Sequence, residues 1–286
     1  MTASVTVEPK TSSKNTRFKT ITATRLTPFV GAEISGVDLT QPLSQEQVAE
    51  LKTALETYLV IFFRDQHLAV DDLASMTLSF GELHHPPALK PYELPDHPGV
   101  LELRIDANTK KIPGEAWHSD MSCDGEPPLG SILYLHTVPE VGGDTMFASM
   151  YAAYDALSDK MKQYLEGLTA IHDAANSLAG VVPADTILPR SSHPVIRTHP
   201  VTKRKTIYVN EVFTTRIEGV SKAESRALLQ FLAQHVQEPE FQCRFRWQPH
   251  SIAFWDNRSV QHQAVFDYHP HVRSGYRTQI VGDKPL

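Results

Sequence analysis

The sequence predicts a mainly β fold with flanking helices, in which two sheets form a jelly roll. Many short stretches of strand length run along the 286 residues. The stretches with helical spacing stand early in the chain and between strands, without regular alternation. This irregular order, together with the lack of a glycine-rich phosphate-binding loop, disfavours a doubly wound parallel sheet.

Residues 1–17 differ in composition from the rest of the chain. They are rich in Thr, Ser and Lys and lack the apolar core of a signal peptide. We therefore expect a flexible N-terminal tail over 1–17 and a single jelly-roll domain over 18–286. All-β barrels and sandwiches often reach this size as one domain.

The first part of that domain contains two predicted helices and a buried strand. An alternating stretch over 21–26 predicts a strand, and a capping-box pattern at 44–47 begins a helix. The apolar run Val60–Phe63 is typical of a buried strand, and a second helix is expected near 71–80. Residues 83–116 are irregular and rich in proline, which predicts a lid or a binding loop.

The remaining chain mixes strands with two further helices. Apolar residues at helical spacing predict one helix within 149–168, and a capping pattern at Ser221 begins another. Residues 183–198 are expected to form a long loop. Strands are predicted over residues 131–136, 145–147, 206–210, 241–247, 251–255 and 276–281.

Composition and charge argue against several classes of partner. The net charge of −6 disfavours a nucleic-acid partner, which would need a basic surface. No apolar run approaches the ~20 residues that span a bilayer. The two cysteines, Cys123 and Cys243, imply no disulfide framework and indicate a reducing compartment. We expect a cytoplasmic protein that binds neither nucleic acid nor membrane.

His118, Asp120 and His262 are the candidate metal ligands. Residues two positions apart on a strand share a face, so His118 and Asp120 can reach one ion. Two imidazoles and a carboxylate form the facial triad that holds Fe(II) and leaves the opposite positions open. An isolated His-x-Asp pair, however, is better explained as a surface pair or as a hydrogen-bonded core histidine.

Two arginines after His262 strengthen the metal interpretation. Arg273 and Arg277 are four residues apart, so alternation along a strand would place both on one face. A guanidinium matches two oxygens of a carboxylate or a sulfonate at once. An arginine beside an open iron site is what a 2-oxoacid cosubstrate would need.

The chain resembles the taurine dioxygenase family, which includes alkylsulfatase and phenoxyalkanoate herbicide dioxygenases. The likeness covers nearly the whole chain. It is densest at Trp117-His118-Ser119-Asp120, Gly142-Gly143-Asp144-Thr145, residues 210–217 and Trp255-Asp256-Asn257-Arg258. The resemblance implies an iron(II)- and 2-oxoglutarate-dependent dioxygenase on a jelly-roll fold, the double-stranded β-helix.

The same resemblance implies a role for each residue of the iron and 2-oxoglutarate sites. His118, Asp120 and His262 would ligate iron. Arg273 would pair with the distal carboxylate of 2-oxoglutarate, and Thr145 would hydrogen-bond the same group. With O2, such an enzyme hydroxylates a substrate C–H and converts 2-oxoglutarate into succinate and CO2.

Two further residues are implied to face the primary substrate. Arg277 would bind its anionic head, and Phe213 would wall the pocket; they could instead be a structural ion-pair partner and plain core. Taurine-using members carry asparagine where this chain has Gly114, and the 84–92 loop lacks a histidine at the matching offset. We predict a small organic acid, sulfonate or taurine-like, with an alkyl sulfate or aryloxyalkanoate as the alternative.

Interpretations of other classes stay open at this point. A non-catalytic jelly-roll protein could bind a metal or ligand, although such a protein would be free to lose one ligand of the triad. A zinc hydrolase could use the same three ligands and would need neither O2 nor 2-oxoglutarate. Helical surface and the habit of the family suggest a homo-oligomer.

Overall fold

A computed structural model describes residues 18–109, 114–179 and 182–286. The tail expected over 1–17 lies outside these residues. The strands are β1 (Thr22–Arg25), β2 (Ala32–Ser35), β3 (Val60–Phe63), β4 (Glu93–Leu94), β5 (His97–Ile105), β6 (Gly130–Thr137), β7 (Thr145–Ser149), β8 (Thr169–Asp173), β9 (Arg190–Pro194), β10 (Ile196–Thr198), β11 (Lys205–Ile207), β12 (Thr214–Ile217), β13 (Gln242–Phe245), β14 (Ser251–Asp256), β15 (Val260–Ala264) and β16 (Arg273–Ile280). The α-helices are α1 (Gln45–Tyr58), α2 (Val70–Leu78), α3 (Met150–Ala156), α4 (Asp159–Leu165), α5 (Ala175–Leu178) and α6 (Lys222–His235).

Two sheets carry the architecture. Eight strands form the larger sheet in the order β1-β2-β3-β14-β6-β16-β5-β4, and its neighbours are antiparallel except for β2 and β3. A smaller sheet has the order β13-β7-β15. A three-stranded sheet β12-β8-β9 and the pair β10-β11 complete the described strands. The prediction of a mainly β fold with flanking helices is confirmed.

Strand β3 shows why both faces of the larger sheet are buried. Ile61 and Phe63 point into a core that also contains the buried side chains of α1 and α2. Val60 and Phe62 point to the other side, where Phe62 stacks on Phe245 of the smaller sheet at a ring distance of 3.9 Å. Because successive side chains on a strand point to opposite faces, a fully apolar strand joins two cores.

Two helix starts follow the predicted capping boxes. The Ser44 hydroxyl accepts from the backbone N–H of Gln47, and the Gln47 side chain accepts from the N–H of Ser44. Ser221 and Glu224 make the same pair of bonds at the start of α6. Each reciprocal pair satisfies backbone donors that a helix start would otherwise leave free.

The single helix expected within 149–168 is wrong, because the chain forms α3 and α4 instead. Leu157 has an extended backbone, and Ser158 accepts from the N–H of Met161 as the N-cap of α4. A serine hydroxyl offers the backbone this alternative to helical bonding. The apolar spacing continues across the break, so periodicity alone did not show it.

The loops expected over 83–116 and 183–198 both contain strands. Within the first, β5 pairs antiparallel with β16, and within the second, β9 pairs with β8 and β10 with β11. β5 and its partner β16 lie far apart in the chain, and prolines and charged residues weaken the local strand pattern of β5, β9 and β10. Among the helices of the described residues, none has the length and apolar character that crossing a bilayer requires.

Candidate active site

The side chains of His118, Asp120 and His262 come together where the His-x-Asp segment pairs with β15. His118 and His262 exchange backbone hydrogen bonds of 3.1 and 2.8 Å in an isolated antiparallel bridge. Directly opposed residues of such a pair hold their side chains on one face. Asp120 follows in a turn, and its Oδ1 lies 3.4 Å from His118 Nε2 and 3.6 Å from His262 Nε2. One ligand atom from each residue lies within 4.8 Å of the others.

The donor atoms of these groups suit a divalent cation. His118 Nδ1 donates to the carbonyl of Ala116 at 2.8 Å, so Nε2 is the ring nitrogen that faces Asp120. Burial and the neighbouring His118 hold the pKa of His262 well below its usual value, so its imidazole is neutral. Burial would raise the pKa of Asp120, but Arg277 and the two histidines together outweigh it and hold that pKa well below its usual range. Two imidazoles and a carboxylate are the donor set of a facial triad.

Arg277 lies in the metal site itself. Its Nη2 is 2.6 Å from Asp120 Oδ2, so the guanidinium pairs with a candidate metal ligand. Its Nε is buried and makes no hydrogen bond to the described residues. The guanidinium therefore keeps donor capacity beyond its bond to Asp120.

Arg273 is a buried cation without a carboxylate partner among the described residues. It donates to the carbonyl of Gly143 at 3.2 Å and to the hydroxyl of Thr145 at 3.3 Å. Trp247 donates to the same hydroxyl at 3.0 Å and faces the guanidinium. Burial lowers the pKa of Arg273 to about 10, so the group stays charged at neutral pH. A buried charge without a counter-ion is costly, and this position is therefore suited to an anionic group.

An apolar wall borders the metal ligands on another side. The buried Phe213 presents its ring edge-on to His118 at a centroid distance of 6.5 Å. The wall around it comes from turns, short helices and loops. Its members are Leu89, Met121, Cys123, Ala174, Leu178, Leu188, Val212 and Phe213.

Gly114 leaves space beside the first histidine. Its φ of +89° is a conformation that side chains rarely adopt, and a Cβ there would lie 3.3 Å from Cε1 of His118. Its carbonyl accepts from the N–H of Ala264 on β15 at 2.8 Å. The backbone thus passes close to His118 without a side chain at this point.

Sequence reasoning missed the residues that hold these groups in place. In the segment 255–258, Asn257 accepts hydrogen bonds from the backbone N–H of Asp120 and from the indole of Trp255. Asp256 and Arg258 form an ion pair with each other instead. Ser131, buried at the start of β6, donates to Asp120 Oδ2 at 2.6 Å. The available signal was the alternation of polar residues after an apolar strand, and a serine in an otherwise apolar strand.

Comparisons with known proteins identify the family of this chain. The family model described as "Taurine catabolism dioxygenase TauD, TfdA family" matches residues 22–279. A "Putative alpha-ketoglutarate-dependent sulfonate dioxygenase" of Schizosaccharomyces pombe is 33% identical over 272 residues, which are 90% of this chain and 68% of that protein. An "Alkylsulfatase" of Acinetobacter baylyi is 32% identical over 275 residues, 91% of this chain and 84% of that protein.

Solved structures support the same assignment. A putative alpha-ketoglutarate-dependent taurine dioxygenase from Burkholderia xenovorans superimposes with a TM-score of 0.83 and 38% identity, covering 93% of this chain and 94% of that one. AAD-2, solved in complex with Mn(II) and N-oxalylglycine, gives a TM-score of 0.78 and 28% identity, covering 93% of this chain and 99% of that one. The jelly-roll prediction is confirmed, and the chain belongs to the taurine catabolism dioxygenase TauD, TfdA family.

Proposed function

We propose that this protein is an iron(II)- and 2-oxoglutarate-dependent dioxygenase that acts on a small organic acid. It hydroxylates a C–H next to the anionic or leaving group of that acid and releases succinate and CO2. One observation carries the proposal: a buried arginine, Arg273, has no carboxylate partner among the described residues and donates to Thr145, which lies on the strand paired with that of His262 in the His-Asp-His cluster.

In this proposal the metal binds to His118 Nε2, Asp120 Oδ1 and His262. The carboxylate supplies one negative charge, and the imidazole of His262 is a neutral donor. Three protein ligands on one side leave the other positions open. Iron bound there would activate O2, with the oxidative decarboxylation of 2-oxoglutarate as the source of two electrons.

Arg273 and Thr145 would bind the distal carboxylate of 2-oxoglutarate. In the pairing of β7 with β15, Thr145 lies opposite Ala264, two positions from His262. Two positions along a strand are roughly 7 Å. A short dicarboxylate can therefore reach from the metal ligands to the arginine, where it would neutralise a buried charge.

The primary substrate would meet Arg277 and the apolar wall. The unpartnered Nε of Arg277 can donate to a sulfonate, sulfate or carboxylate oxygen. Phe213 and its neighbours offer an apolar surface to the carbon skeleton. The names of the relatives, a sulfonate dioxygenase and an alkylsulfatase among them, support a sulfonate as the first candidate and an alkyl sulfate or aryloxyalkanoate as the alternative.

Stimulated succinate release tests this function. Anaerobic protein is mixed with Fe(II), 2-oxoglutarate and one candidate from each class: taurine, an alkanesulfonate, an alkyl sulfate and an aryloxyalkanoate. After admission of O2, at least one candidate is expected to raise succinate above the substrate-free rate. No stimulation by any of them, with metal bound, would overturn the proposal, and turnover without O2 or 2-oxoglutarate would favour a zinc hydrolase.

We propose a cytoplasmic homo-oligomer, as expected for this family. Size-exclusion chromatography with light scattering tests the oligomeric state: a mass near that of one 32.0 kDa chain would contradict a homo-oligomer.

A further inference from the structure

We propose that Ser131 and Asn257 are positioning residues that leave Asp120 only one oxygen for the metal. The inference rests on the proposed function in one respect, that a metal binds at the His-Asp-His cluster. Both residues are buried, and neither is a candidate metal ligand.

The register of the larger sheet brings this group together. Ser131 on β6 lies directly opposite Trp255 on β14 and Gln279 on β16. Asn257 is the residue directly after β14, and its side chain reaches Ser131. Three neighbouring strands thus converge on the carboxylate of Asp120.

The orientation of the Asn257 amide is determined by its partners. Its Oδ1 accepts from the backbone N–H of Asp120 at 3.2 Å and from the indole N–H of Trp255 at 3.0 Å. Both partners can only donate, so the carbonyl end must face them. The NH2 end therefore faces Ser131, to which it donates at 2.9 Å.

The direction of the Ser131 hydroxyl follows from that orientation. Its oxygen receives N–H groups from Asn257 at 2.9 Å and from Gln279 at 3.3 Å. A hydroxyl has two lone pairs and one proton, so the proton is left for Asp120 Oδ2 at 2.6 Å. Ser131 is completely buried, so bulk water has no access to this hydroxyl.

The consequence is a carboxylate whose two oxygens differ. Oδ2 of Asp120 is held by the hydroxyl of Ser131 and the guanidinium of Arg277, both at 2.6 Å. Oδ1 faces Nε2 of His118 and of His262. A free carboxylate can bind a metal through one or both oxygens, and this arrangement leaves only Oδ1. One-oxygen binding keeps a further coordination position open for reactants.

Metal affinity separates positioning from a purely structural role. Loss of the hydroxyl leaves two buried amides without an acceptor, so Ser131→Ala lowers stability in either case. Only a positioning role predicts weaker metal binding and a changed coordination geometry, because outer partners orient the ligands.

The experiment is an anaerobic titration of the metal-free full chain with Co(II), followed by visible absorption. Ser131→Ala should weaken binding by about 10- to 100-fold and change the Co(II) spectrum. Ser131→Cys, which keeps the side-chain shape but donates weakly, should lose less Co(II) affinity than Ser131→Ala. Ser251→Ala is the matched control, since this serine is buried in the same sheet and accepts from Arg64 and Gln248. It should keep wild-type affinity and spectrum.

Two outcomes would overturn the inference. Ser131→Ala could bind Co(II) as tightly as the wild type with an unchanged spectrum, or Ser251→Ala could lose as much affinity as Ser131→Ala. Because wild-type succinate release is measured in parallel, either outcome leaves the proposed function standing. A wild-type chain that binds no Co(II) would overturn both proposals.

Discussion

Asp120 and Asp256 are both fully buried carboxylates, and each has an arginine and histidine for neighbours. Both oxygens of Asp256 are occupied by hydrogen bonds from Arg258 and His199. Oδ1 of Asp120 instead faces Nε2 of His118 at 3.4 Å and of His262 at 3.6 Å, farther than any donor on Asp256. In this molecule an acceptor oxygen without a close donor, and not burial or charge, distinguishes the candidate metal site from the structural ion pair.

Electrostatics alone does not separate the two carboxylates. Burial would raise the pKa of each carboxylate, but the neighbouring arginine and histidine side chains together outweigh it. The largest opposing contribution comes from the arginine in both cases, Arg277 for Asp120 and Arg258 for Asp256. Both pKa values lie well below the usual range for an aspartate. A lowered pKa is therefore common to Asp120 and Asp256, although only Asp120 has an oxygen, Oδ1, that is available to a metal.

The largest expected effect is the loss of metal binding in Asp120→Asn. An amide is neutral, so the site loses its only negative ligand, and binding of Co(II) should fall by more than the roughly 100-fold that loss of an outer partner costs at most. Calorimetric titration of the metal-free chain measures this. Wild-type affinity in the variant would remove the distinction between the two carboxylates.

Asp256→Asn should lower the stability of the fold without changing Co(II) binding. The variant removes the close charged partner of the buried Arg258 and His199 and leaves Arg258 only Asp283 at 3.9 Å, so the free energy of unfolding should fall by about 3–5 kcal/mol while Co(II) affinity is unchanged. Urea denaturation measures the first quantity. Asp155→Asn is the control, because its ion pair with Arg204 is about half exposed and should contribute at most about 1 kcal/mol.

The comparison extends to the two buried arginines. Arg258 has a carboxylate partner, whereas Arg273 has none within ion-pair distance in the described ranges. Arg273→Leu should raise the 2-oxoglutarate concentration for half-maximal succinate release by about 10- to 150-fold, the value of a lost charge-assisted bond of about 1.5–3 kcal/mol. Co(II) affinity should survive. An unchanged 2-oxoglutarate requirement would refute the role assigned to Arg273.

Acid should narrow the stability gap between wild type and Asp256→Asn. The folded-state pKa of Asp256 lies below its unfolded value of about 3.9, so its stabilising contribution is complete above that pH and is lost as pH falls toward the folded pKa. Below about pH 4 the gap in unfolding free energy should shrink by about 1.4 kcal/mol per pH unit. Urea denaturation at pH 6, 4 and 3 checks this, and a constant gap would contradict it.

Several helices and strands of the fold could be predicted from local sequence patterns. The capping box at Ser44 and the apolar run Val60–Phe63 depend on neighbours in the chain, and both are confirmed. The residues of the His-Asp-His cluster were predicted from the arginines after His262 and from the resemblance to the family, not from the His-x-Asp pair alone, and the structure brings the three side chains together.

The rest depends on partners far apart in the chain. Strand β5 exists because β16 pairs with it, and its own sequence carries only a weak pattern. Ser131 meets Asn257 and Gln279 through sheet register, at separations of 126 and 148 residues. No local pattern encodes such a register, so the bonds that orient Asp120 had to be found in the fold.

Anomalous diffraction from crystals grown anaerobically with Mn(II) and 2-oxoglutarate tests most directly how Asp120 binds the metal. We expect one metal peak bound by His118, His262 and a single oxygen of Asp120, with Ser131 still bonded to the other oxygen. We also expect the distal carboxylate of 2-oxoglutarate on Arg273. A metal bound elsewhere, or bound by both oxygens of Asp120 with Ser131 displaced, would contradict the proposed site.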